Sequence, residues 1–167
     1  GYILVPPGQP KVDLKLVDYP DESDKGPFPI PPDAPIEGWP LSFPGKKLEE
    51  VQRAGEGDRH VIVVDPHAMT LVELFVGRRD EKGWSAGCAA RFDLTSNALR
   101  PDGWTSADAA GLPIFPAVVR YDEVARGMVE HAMRVTVRRS RKAYVYPATH
   151  HAGHGKDETW PRMGERL

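Results

Sequence analysis

The chain has 167 residues, 40% of them hydrophobic and 28% charged, with a formal net charge of −2. That length supports one domain with a real core, and the near-balanced charge excludes a global electrostatic case for nucleic acid or an acidic membrane surface. No run of ~18 apolar residues occurs, so no membrane span is expected, and the single cysteine, Cys88, excludes an internal disulfide.

The chain opens on Gly1-Tyr2-Ile3-Leu4-Val5, which reads as a strand already under way. Both ends read as cuts in something longer, so the fold is expected to be completed by residues or a chain outside this sequence. A missing signal peptide therefore does not argue against secretion. Residues 1–45 form a proline-rich strap with edge strands: 11 of the 17 prolines lie there. Proline fixes φ and removes a donor, which rules out a helix or a central strand. Phe28, Ile30, Ile36 and Trp39 recur through the strap as anchors, so it is expected to be ordered. Its acids Asp18, Asp21, Glu22 and Asp24 read as solvated.

Residues 46–167 are expected to form the core. Pro44-Gly45 opens a short helix over 46–53 and Gly55 closes it. Val61-Ile62-Val63-Val64 and the run 71–76 are β-rich, and Asp65-Pro66-His67-Ala68 between them is a turn signature, giving a hairpin. A third strand follows over 83–94, its Ala and Gly content implying close packing on another layer. Residues 95–113 are loop, with one helical turn at 106–110 that Ser106 caps. A short strand is predicted at 114–119 and a helix of one or two turns at 121–126, ended by Gly127. Residues 128–137 and 142–148 complete the set as two further strands joined by a basic turn at 138–141. In the first of these, Val129, His131, Met133, Val135 and Val137 share one face, and Glu130, Arg134 and Thr136 the other. The fold class expected is all-β: a β-sandwich or jelly-roll-like domain, with the ordered strap and one or two short helices.

The segments "DRHVIVVDPHAMTLVELF", "FDLTSNALRPDGWTSADAAGLPIFPAVVRYDEV", "HAMRVTV" and "AYVYPATH" together resemble a family of secreted, mostly uncharacterised bacterial proteins. The strap "DESDKGPFPIPPDAPIEGWP" belongs to the same resemblance, which covers nearly the whole chain. It implies an extracellular protein and an architecture, but no reaction.

Four constellations carry candidate chemistry. The first is the loop 103–123, where Asp108 sits among Ser106, Ala107, Ala109, Ala110 and Gly111. Glycoside hydrolysis needs two facing carboxyl groups ~5 to ~9.5 Å apart. Asp93, Asp102, Asp108, Asp122 and Glu123 are available, and Asp108 with Glu123 is the acid/base pair selected. Trp104 would stack on a sugar, with Arg120 and Tyr146 also binding substrate. The plainer roles are Asp108 capping a turn and Asp122 capping the helix.

The second joins His131 with Arg120, Arg134, Tyr144 and Tyr146. A polysaccharide lyase needs a base, a group that neutralises the uronate and an acid, and His131 would be the base. A histidine on an apolar face has a core role as its plainer reading.

The third is His150, His151 and His154, a weak alternative site for a divalent transition metal, with surface loop as the plainer reading. His60 and His67 would join it only if the fold brought them close. Otherwise no cofactor is expected. The fourth is Cys88, whose "WSAGCAAR" superficially resembles an L,D-transpeptidase motif but has Ala86 where that motif's histidine belongs. A buried small residue is the simpler reading.

The leading expectation is a secreted carbohydrate-active enzyme that cleaves a polysaccharide or oligosaccharide by carboxylate hydrolysis or His/Tyr elimination. The alternative is a non-catalytic carbohydrate-binding or cell-surface module, and the side possibility is metal binding.

Overall fold

A computed structural model describes residues 1–166. In chain order its strands are β1 (Ile3–Leu4), β2 (Leu14–Leu16), β3 (Val61–Asp65), β4 (Thr70–Phe75), β5 (Arg78–Asp80), β6 (Gly83–Ala86) and β7 (Cys88–Asp93). Two short helices, α1 (Leu48–Arg53) and α2 (Tyr121–Arg126), and two 3-10 turns complete the regular structure. The fold is all-β and sandwich-like: a four-stranded mixed sheet, β1-β3-β4-β7, and a three-stranded one, β2-β6-β5.

The hairpin β3–β4 is the centre. Asp65 makes its turn, its Oδ1 accepting from the amides of His67 at 3.0 Å and Ala68 at 2.9 Å, which is the local chemistry that favours Asp in turns. Val63 pairs with Val72 and Ile62 with Glu73. Side chains alternate across the sheet, so Val61, Val63, Val72 and Leu74 face one core and Ile62, Val64 and Leu71 the other. Burial on both faces is why β3 reads as an unbroken apolar run.

The strand predicted over 83–94 is two strands in different sheets, divided at Gly87. A Cβ on Gly87 would stand 2.6 Å from an Asp18 carboxylate oxygen and 3.0 Å from the Phe75 ring. A side chain there would have to displace both where the chain crosses between the sheets.

The strap is ordered and forms part of the first core. Phe28, Ile30 and Ile36 are buried beside Val61, Val63 and Leu74, each side chain contributing about 1.5–3 kcal/mol. Gln52 of α1 donates to the carbonyls of Pro32 at 2.8 Å and Ala34 at 3.0 Å. Two strap acids are not solvated as expected. Asp24 pairs with Arg100, and Glu22 Oε2 accepts the Thr105 amide at 2.9 Å.

The second face of the large sheet is covered by irregular chain. Ala107 and Ile114 are buried on it, with Phe115 and Val118 packed alongside. The strand predicted at 114–119 is instead a 3-10 turn at Phe115–Ala117. Pro113 and Pro116 cannot donate to a ladder, and the amides of Ile114 and Phe115 go to Glu73. The turn at 106–110 is not helical. Helix α2 stands where predicted and closes on Gly127 at φ 76°.

The two last predicted strands are also corrected. Residues 128–137 and 142–148 join no sheet, and only isolated bridges, Arg141 to Gly155 and Tyr144 to Met163, occur nearby. Alternation in 128–137 is real as a pattern. The chain there makes two backbone hydrogen bonds, Met128 N–H to the Glu123 carbonyl at 3.1 Å and Arg134 N–H to the Ala117 carbonyl at 2.9 Å, and the Arg134 side chain is drawn to Asp108. The apolar face assigned to His131 is consequently exposed at Met133, Val135 and Val137.

Candidate functional site

The loop around Asp108 is held by its own small residues. Ser106 Oγ accepts the Asp108 amide at 2.9 Å and donates to the Leu112 carbonyl at 2.7 Å. Gly111, at φ +74°, lies against Thr149 and the Trp104 carbonyl with no room for a Cβ. Asp108 Oδ1 accepts from Arg134 Nη2 at 2.8 Å and Nε at 3.1 Å. Burial opposes the charge on Arg134, but its hydrogen bond to Asp108 and the charges of Asp108, Glu73 and Glu37 together outweigh it and hold the guanidinium more firmly protonated than usual. Asp108 therefore works as a clamp, tying the covering loop to the 128–137 segment.

Beneath the loop lie His60, which the sequence offered only as a conditional metal ligand, and Glu73, which it did not single out. His60 is buried, with Nε2 2.9 Å from the Ala107 carbonyl and Nδ1 2.9 Å from Glu37 Oε2. Burial works against its charge, yet Glu37 and the Ala107 carbonyl together raise its pKa. The His60 hydrogen bond lowers that of Glu37. Glu73, fully buried in the middle of β4, accepts the amides of Ile114 at 2.8 Å and Phe115 at 2.7 Å. Burial pushes its pKa up to about 7, against the opposing pull of those two amides. The signal for Glu73 is visible in "TLVELF": one acid at an inward position of a strand with two buried faces.

Glu123 joins Arg120 and His131 at the start of α2. Its Oε2 accepts the Arg120 amide at 2.8 Å, and its Oε1 lies 3.1 Å from Arg120 Nη2 and 2.8 Å from His131 Nε2. This caps the helix, a role expected of Asp122. His131 Nδ1 is 2.9 Å from the Ala132 carbonyl, so both ring nitrogens face acceptors. The Ala132 carbonyl and then Glu123 raise the His131 pKa. The Arg120 amide is the main cause that lowers Glu123, helped by His131 and Arg120 charge. A general acid needs a raised carboxyl and a general base a neutral imidazole; both shifts run the other way.

Tyr146 belongs to a different place. It is 78% exposed and lines an open groove of about 310 Å³ with Tyr144, Asp102, Leu99, Arg100 and Thr149. The Tyr144 hydroxyl donates to Asp102 Oδ1 at 2.9 Å, and this bond raises the phenol pKa. Arg100 is fully engaged, donating to the carbonyls of Thr105 at 2.8 Å and Glu22 at 2.7 Å and pairing with Asp24. Trp104 lies under the Arg100 guanidinium, 5.5 Å from ring centre, and its carbonyl accepts from Thr149 Oγ1 at 2.8 Å. It touches two residues of the groove, Arg100 and Thr149, but does not itself line it.

The structure thus brings Arg120, Glu123 and His131 together, pairs Asp108 with Arg134, and sets Tyr146 in a groove whose lining includes none of these. His150 Nδ1 is 2.8 Å from the Ala109 carbonyl, and its ring stacks on His151 at 5.7 Å. Among the described residues no three His, Cys, Asp or Glu side chains are grouped to hold a metal ion. Cys88 is buried, and burial raises its thiol pKa, the opposite of an activated nucleophile. No family model, curated protein or solved structure matches the chain.

Proposed function

We propose that this protein is an extracellular carbohydrate-binding module, with the Tyr144–Tyr146 groove as its glycan site. The observation that carries this reading is the groove itself, which pairs an exposed tyrosine ring with a second tyrosine fixed by Asp102. Rings with a polar tip suit ligands that are apolar on one face and hydroxylated at the edge. Asp102 offers a carboxylate acceptor to sugar hydroxyls. The extracellular setting rests on the resemblance to secreted bacterial proteins. Binding is favoured over cleavage because Glu123 and His131 are engaged with each other and Asp108 with Arg134.

The test is affinity electrophoresis on a panel of neutral, amino and acidic polysaccharides, followed by calorimetry on any that retard the protein. Tyr146→Ala should weaken binding by about tenfold or more, as truncation of an aromatic anchor does, while leaving the thermal midpoint unchanged. Reducing-end or unsaturated-product assays on the same panel should stay at baseline. Turnover abolished by Glu123→Gln would replace the binding reading with the enzymatic one.

A further inference from the structure

A series of exposed apolar side chains lies between residues 119 and 137. Val119, Tyr121, Val124, Met128, Met133, Val135 and Val137 are all at least 40% exposed. Such a patch on a globular surface marks an interaction site more often than chance. Within it, residues 132–137 run free of helix, turn or bend, between bends at His131 and Arg138. One edge of this segment faces its own chain through the Arg134 amide and the Ala117 carbonyl. Neighbouring residues of an extended chain present their backbone groups to opposite sides. Met133, Val135 and Val137 therefore turn theirs outward, and these have no hydrogen-bond partner among the described residues. An unpaired edge carrying β-branched side chains is a template for another strand.

We infer that residues 132–137 pair antiparallel with the same segment of a second copy, making a two-fold symmetric dimer. Charge selects this occupant. Glu130 stands just before the segment and Arg138 just after it. Glu130 reaches only Arg126, at 4.0 Å, within its own chain, and Arg138 has no ion-pair partner among the described residues. Antiparallel pairing centred on Arg134 sets Glu130 opposite the second copy's Arg138 at both ends. It sets Met133 against the second copy's Val135, twice, in the middle. Arg134 tolerates the centre because its guanidinium turns inward to Asp108. Opposite charges and apolar pairs directly across a ladder stabilise it, and a self-complementary patch is what two-fold symmetry requires.

Sedimentation velocity of the whole chain, over the micromolar to millimolar range, reads the result. A concentration-dependent dimer is expected. Val135→Lys should leave only monomer, with an unchanged circular dichroism spectrum. Glu130→Arg should raise the dimer dissociation constant by about tenfold, and adding Arg138→Glu to it should restore the wild-type value. That restoration cannot come from a merely destabilised fold. A chain that stays monomeric throughout overturns the inference. So does a dimer indifferent to both the Val135 change and the charge exchange.

Discussion

Raising the pH from 5 to 8.5 should destabilise this protein, and Glu73→Gln should remove much of that loss. The Glu73 carboxyl has its pKa raised to about 7 from an ordinary 4.5, so the folded state favours its protonated form. The stability this supplies is complete below the ordinary value and disappears as pH rises through about 7. An interval of that size corresponds to about 3 kcal/mol. Around it stand His60 from β3's N-terminal side and Asp108 with Arg134 from the covering chain, and of these His60 also titrates. Its raised pKa acts in the same direction, its contribution being lost as pH climbs past the ordinary histidine range. Glu37 acts oppositely and only under acid conditions, because its pKa is lowered. Urea unfolding at the two pH values checks this. Gln at position 73 keeps a carbonyl for the amides of Ile114 and Phe115 but cannot ionise, so its midpoint should vary less with pH than wild type, by about 2–3 kcal/mol. Glu73→Leu strands both amides and should cost about 2–4 kcal/mol at every pH. Parallel pH profiles for wild type and Glu73→Gln would refute the assignment.

Loss of the Arg59 guanidinium should be the most damaging single change on the strap side. Arg59 is 3% exposed and donates to four carbonyls: Val51 at 2.7 Å, Gln52 at 3.1 Å, Ala54 at 3.0 Å and Gly77 at 3.2 Å. Those bonds satisfy the end of α1 and fasten it to the turn before β5. A six-residue helix has no stability of its own and depends on such fastening. Arg59→Met fills part of the volume but leaves the carbonyls without donors, at about 3–5 kcal/mol. Arg59→Lys keeps a charge but has no planar fork to span the set, and should recover less than half of the loss. Denaturant midpoints give the magnitude, and limited proteolysis between residues 47 and 57 shows where it falls. Cleavage that stays as slow as in wild type would mean that α1 is held by other contacts.

The strap, the hairpin and helix α2 were legible because their signals are local. Phe28, Ile30 and Ile36 among prolines announce a buried strap, the Asp65 turn fixes the hairpin, and Gly127 stops the helix. The segments 114–119 and 128–137 were misread because their β pattern is equally local, whereas strand formation needs a partner. Proline removed donors in one, and Asp108 drew Arg134 inward in the other. The site divided for the same reason. Arg120, Glu123 and His131 are near in sequence and meet. Asp102 and Tyr144 are 42 residues apart, and nothing in either neighbourhood indicates that they share a groove.

Composition, periodicity and turn chemistry alone determined an all-β chain with an ordered proline-rich strap and a central hairpin. Tertiary structure decided which acids are occupied. Asp108 became a clamp and Glu73 a buried anchor, because a carboxyl's role depends on the donors that long-range folding places within 3 Å of it. Sequence spacing carries no record of those distances.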